Sequence, residues 1–75
     1  MTKRVQLTNT PVKVAEARNW CLVTTKEGRD FNIHIGDTLT DKDASHSVRE
    51  LVFNTGVTIW AWTASLPMYV EVSEG

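Results

Sequence analysis

TIWAWTASLPMYVEV occupies positions 58 to 72. On both sides of the Ser65-Leu66-Pro67 break its side chains alternate with a period of two, and residues two apart on a strand share a face. Trp60 and Trp62 therefore point one way and Ile59 and Ala61 the other, which leaves this strand apolar on both faces. After the break Met68, Val70 and Val72 share one face, with Tyr69 and Glu71 opposite. A strand apolar on both sides needs two covers. The remainder of the chain has to supply them, or a partner does.

Upstream, the same period dominates. Val5-Gln6-Leu7-Thr8 alternates up to a turn-like Asn9-Thr10-Pro11, and Val12-Lys13-Val14 alternates after it, with Pro11 at a strand edge. Ala15 to Asn19 reads as a loop. Trp20 to Thr25 is rich in β-formers. Lys26-Glu27-Gly28-Arg29-Asp30 supplies turn chemistry, with Gly28 the natural place for a positive φ. Phe31 to Ile35 then reads as the returning partner strand of a hairpin, with Phe31, Ile33 and Ile35 toward the core and Asn32 and His34 outward. Gly36 to Ser47 is a long polar loop. Val48, Leu51 and Val52 fit a helical stripe, but the β-rich context favours a short strand at Glu50 to Phe53, followed by a turn at Asn54-Thr55-Gly56. The expected fold is all-β: one domain over residues 1–75, a small antiparallel β-sandwich or partly open barrel of about six or seven short strands.

Size sharpens the question of cover. A chain of 75 residues buries roughly 60% of the surface its unfolded form exposes, and a core of this size rarely supplies more than about 3–5 kcal/mol. Cys21 is the one cysteine, which excludes an internal disulfide and a Cys-rich zinc site. Oligomerisation is the supplement left. Eight basic and nine acidic residues give a net charge of −1, without the basic excess that drives nucleic-acid binding. No apolar run approaches the ~18–20 residues of a membrane span, and the N-terminus lacks the apolar stretch of a secretory signal. The expectation is a chain made and kept in the cytosol, or released by a route other than secretion, with no nucleic-acid or membrane partner.

Chemistry-bearing residues are few. Asp41, Asp43 and Ser45 stand at the first, third and fifth positions of a calcium-type loop, but His46 replaces its glycine and Val52 its bidentate glutamate. The reading is a solvated loop, with no metal and no cofactor. His34 or His46 with Asp37, Asp41, Asp43 and a serine can be written as a triad, yet no spacing of a known catalytic motif supports one, and no catalytic residue is assigned. Cys21, beside Trp20 in an apolar strand, is a small core hydrophobe. The aromatics carry more information. Either Trp60 and Trp62 fill the core, or Val57, Ile59 and Ala61 do and the indoles meet a partner, with Tyr69 extending the patch and Trp20 a weaker contributor. The loop carrying Asp37, Asp41, Asp43 and His46 is a second candidate contact.

QLTNTPVKV, FNIHIGDT with its Ser/Thr/Asp loop and ASHS, NTGVTIWAW and the closing MYVEVSEG follow one another in an order that resembles small all-β virion proteins of tailed bacteriophages, the head-decoration and tail-associated modules. In that family a strand ending like HIGDT opens a loop, and an IWAW-like strand precedes a final YVEV-like one. The chain departs from it at Ser65-Leu66-Pro67, where the family is richer in glycine or alanine. The resemblance implies a non-enzymatic structural role, a symmetric homo-oligomer (a trimer more often than a dimer) and attachment to a virion protein of the capsid or tail. Two alternatives stand beside it. One is a carbohydrate- or host-receptor-binding module that uses the same aromatics with the Asp/His loop. The other is a small phage inhibitor of a host protein.

Overall fold

The structure is a computed structural model and describes residues 2–36 and 46–75. Every regular element among them is a strand: β1 (Thr2–Leu7), β2 (Val12–Ala17), β3 (Cys21–Thr24), β4 (Phe31–Ile35), β5 (His46–Val48), β6 (Leu51–Phe53), β7 (Val57–Trp62) and β8 (Met68–Glu74). They form two four-stranded sheets, here A in the order β1-β8-β3-β6 and B in the order β2-β7-β4-β5. All pairings are antiparallel. Of the two expected architectures, sandwich or partly open barrel, the structure is the small β-sandwich, with eight strands among the described residues instead of six or seven.

The order has a simple origin. β1 pairs with β8, β2 with β7, β3 with β6 and β4 with β5, so the chain is one long two-stranded ribbon folded back on itself between β4 and β5. Rolling up that ribbon adds β3 against β8 and β4 against β7. The result is a jelly roll, two sheets with interleaved connections. Its Cα extent across the thin direction is 15 Å, as expected for two sheets packed about 10 Å apart.

The core confirms which face of each strand turns inward. Leu7, Val23, Phe31, Ile33, Ile59, Ala61, Met68, Val70 and Val72 are buried in one cluster. Each belongs to the inward set of its strand's alternation, but Ile35, expected toward the core with Phe31 and Ile33, is 43% exposed at the last position of β4. Cys21 lies in the same cluster, the role its neighbours predict.

Three local expectations are corrected. β3 and β4 do not form a hairpin: β3 pairs with β6 and β8 in sheet A, and β4 with β5 and β7 in sheet B, so the six residues between them cross from one sheet to the other. Ala15 to Ala17 is strand, not loop. The register of β2 against β7 shifts between Lys13 and Ala15, and this bulge turns Val14 and Ala15 both inward, which hides the alternation of Ala15-Glu16-Ala17. Third, His46 to Val48 is a strand, β5, opposite Ile33 to Phe31. Gly28 has φ 66°, as its turn context predicts.

Candidate functional site

The four aromatics expected to cooperate are placed at four different positions. β7 and β8 lie in different sheets, so Trp60 and Tyr69 face away from each other across the sandwich and form no common platform. Trp60, on the outer face of sheet B opposite Lys13 and His34, is half-buried. Its indole N–H donates to the Gly36 carbonyl at 3.1 Å, and Lys13 Nζ sits 5.4 Å from the ring centroid. Trp62 is only 4% exposed. The expectation of an uncovered Trp62 is corrected: at the end of β7, opposite Asn32 of β4, its ring is enclosed within its own chain. Ile59 and Ala61 fill the core on the other side. The strand's two apolar faces are thus largely covered within one chain, and a saccharide platform of two open indoles is not formed.

Trp20, 43% exposed, precedes β3 at one end of the sandwich. Asn19 N–H and Trp20 N–H donate to Gly75 O at 2.7 and 3.2 Å, and Gly75 N–H donates to Trp20 O at 3.1 Å. A Cβ on Gly75 would lie 2.3 Å from the indole nitrogen, so glycine is what lets the ring lie there. Asp37, Asp41 and Asp43 lie outside the described residues. His46 is exposed at the start of β5.

Tyr69, at 50% exposure, is the more open of the two exposed aromatics among the described residues. It lies on β8, a central strand of sheet A, on the side opposite the buried Met68, Val70 and Val72. Arg4 is its diagonal neighbour on β1, since Arg4 faces Glu71 and Gln6 faces Tyr69. The Arg4 guanidinium lies 5.9 Å from the ring centroid, within the range of a cation–π contact. Glu71 ties the surroundings together, with Arg4 at 3.9 Å and Lys26 at 3.3 Å. These pairs are largely solvent-exposed and contribute little stability; they set the charge pattern around the ring. On the same face Leu22 lies opposite Val52, which is 60% exposed, beyond the row of Thr24 and Glu71. The outer face of sheet A thus carries an aromatic and an aliphatic spot with a polar band between them.

Beside this face, the loops at one end are stitched into a single surface. Thr63 N–H donates to Thr8 O at 2.9 Å. Arg29 donates to Ser65 Oγ at 2.7 Å, Leu66 O at 2.5 Å and Pro67 O at 3.4 Å. Arg49 Nε meets Asp30 Oδ1 at 2.8 Å. The strand register brings these loops together, joining residues 19 to 55 positions apart, so no local motif announces them. Arg4, Lys26 and Glu71 escaped sequence reading for the same reason.

The open side between β2 and β8 holds two shallow clefts. One, of about 100 Å³, is lined by Lys3, Lys13, Ala15, Glu16 and Glu74; the other, of about 210 Å³, by Glu16, Ala17, Arg18, Glu74 and Gly75. Both are smaller than the ~300–1,000 Å³ of ordinary ligand pockets. Glu16 N–H donates to Glu74 Oε2 there at 3.2 Å. Among the described residues no cluster of His, Cys, Asp and Glu is arranged to hold a metal ion, and no helix is long and apolar enough to cross a membrane. Comparison with protein-family models, with curated proteins and with solved structures finds no match to this chain.

Proposed function

We propose that this chain is a non-enzymatic structural component of a bacteriophage particle, a small jelly roll that assembles with copies of itself and attaches to a capsid or tail protein. A fold of this kind hosts many functions, so the reading rests on its surface. The observation that carries it is Tyr69: a half-exposed aromatic near the start of the central strand β8, with Arg4 over its ring and a charged border of Glu71 and Lys26. An aromatic and an arginine inside a polar rim are the residue types that dominate protein–protein contacts. The sequence resemblance to head-decoration and tail-associated proteins supplies the partner class. The docking face is assigned to β8 and not to β7, because Trp62 has little surface left to offer.

The test is direct. Particles purified from the phage that encodes the chain contain it at a fixed stoichiometry by quantitative mass spectrometry, and Tyr69→Ala lowers its occupancy at least tenfold, the effect of losing an interface hot spot of about 2 kcal/mol or more. Particles free of the chain overturn the structural role; full occupancy by the variant overturns the docking face.

A further inference from the structure

The ends of the two sheets are not equally protected. β5 and β6 are three residues each, too short to template much pairing. β2 is longer, but its edge is interrupted by the bulge between Lys13 and Ala15, its Glu16 N–H is taken by Glu74, and Lys13 and Glu16 form an ion pair at 3.4 Å across it. These are recognised devices against edge-to-edge pairing. β1 has no bulge, and the devices it carries are two charges, Lys3 on the inward side and Arg4 on the outward side, which oppose pairing only in registers that bring like charges together. Its six residues run in unbroken register with β8 from Thr2 opposite Ser73 to Leu7 opposite Met68, and it stands last in sheet A.

We propose that the β1 edge is the site where a second copy of this chain pairs, strand to strand, to make a continuous sheet across a two-fold axis. Pairing of identical antiparallel strands fixes the geometry closely. Sheet A must keep its inner face inner, so only registers in which the paired residue numbers sum to an even number are allowed, since a one-residue slip would turn every side chain over. With Arg4 opposite its own copy, two guanidinium groups meet on one face. With Gln6 opposite its own copy, Arg4 falls beyond the strand of its partner. With Val5 opposite the second Val5, Arg4 faces Gln6 of the other copy and Lys3 faces Leu7, so no like charges are opposed and five residues overlap. Val5, partly exposed at the rim of the core, is then covered by its counterpart. The charges at Lys3 and Arg4 act to select this register.

The contact deepens the assembly reading above and rests on it. It is isologous, so it produces pairs and not the three-fold ring that the sequence resemblance implies. It also sets the two Tyr69 side chains on one extended face, β8-β1 followed by β1-β8 of the second copy, which doubles the surface assigned to docking.

Gln6 is exposed and outward, so its substitution leaves the core intact and tests the register from both sides. Sedimentation equilibrium of the full chain gives the association constant. Gln6→Glu, which places a carboxylate opposite Arg4 of the second copy, tightens association, and Gln6→Arg weakens it. Each shift is roughly 2- to 30-fold, from two symmetric cross-strand pairs. Circular dichroism melts establish that both variants fold. Association with the same constant in both variants, or shifts of the same sign, overturns the β1 contact and leaves assembly through another surface standing. A chain that stays monomeric at millimolar concentration, Gln6→Glu included, overturns the β1 contact and the self-assembly reading together.

Discussion

Trp60 and Trp62 are two positions apart on one strand and have different roles. Trp62 is enclosed, whereas Trp60 keeps part of its ring in solvent and holds its place by one hydrogen bond to Gly36 and the cover of Lys13. Trp62→Ala is expected to cost about 3–5 kcal/mol, comparable with the whole net stability of a domain this size, so the variant unfolds or nearly so in a urea titration at 25 °C. Trp60→Ala forfeits a partly exposed cation–π contact and one hydrogen bond, about 1–2 kcal/mol together, and stays folded. Equal midpoints for the two would contradict the assignment. Cys21 makes a pH prediction. Burial first, and Glu74 second, raise its thiol above the ordinary value of 9.0, with Lys3 opposing. The folded state therefore holds the proton longer than the unfolded one. The contribution of the neutral thiol is constant below about pH 9 and is lost as pH rises past that value through the folded pKa. Melting midpoints measured from pH 8 to 11 should fall more steeply for the native chain than for Cys21→Ala.

Among the elements, the segment between β7 and β8 is held mainly by a side chain from elsewhere. Arg29, in the β3–β4 crossing, reaches Ser65, Leu66 and Pro67 and fixes how the chain leaves the tryptophan strand and enters β8, where Tyr69 follows two residues later. Arg29→Ala is expected to cost about 1 kcal/mol, since these bonds are open to water. Hydrogen exchange should show it locally, with faster exchange at residues 64–66 and little change at Ile59 or Val70. A uniform acceleration across the chain would mean that Arg29 supports the whole fold and not this loop. The β3–β4 crossing also shows how turn chemistry misleads. Lys26 to Asp30 has a glycine at positive φ, and strand-like segments flank it, yet the flanking strands part to different sheets. Turn residues specify that the chain bends; they do not specify which strand it meets next.

At the scale of the molecule, the paired strands β1 and β8 lie at opposite ends of the chain, while β4 and β5 pair across the shortest separation. Closing such a ribbon requires long loops to be ordered before most contacts form, and sheets of this kind fold in milliseconds to seconds. Stopped-flow refolding followed by indole fluorescence is expected in that range. Completion within tens of microseconds would contradict the rolled order. Alternation by itself determined that the chain is all-β, that Met68, Val70 and Val72 face inward, that Phe31 and Ile33 do so on β4, and that Cys21 is core, because a period of two is a local property of each strand. It left the orientation of β7 open, since both of its faces are apolar. Only tertiary structure decided that Ile59 and Ala61 face the core while Trp62 is enclosed and Trp60 is not. It also decided that a bulge carries Ala15 to Ala17 into β2, and that Arg4, Tyr69, Glu71 and Lys26 meet. Those outcomes depend on which strands become neighbours, and neighbourhood in a rolled ribbon is set by the packing of the entire chain.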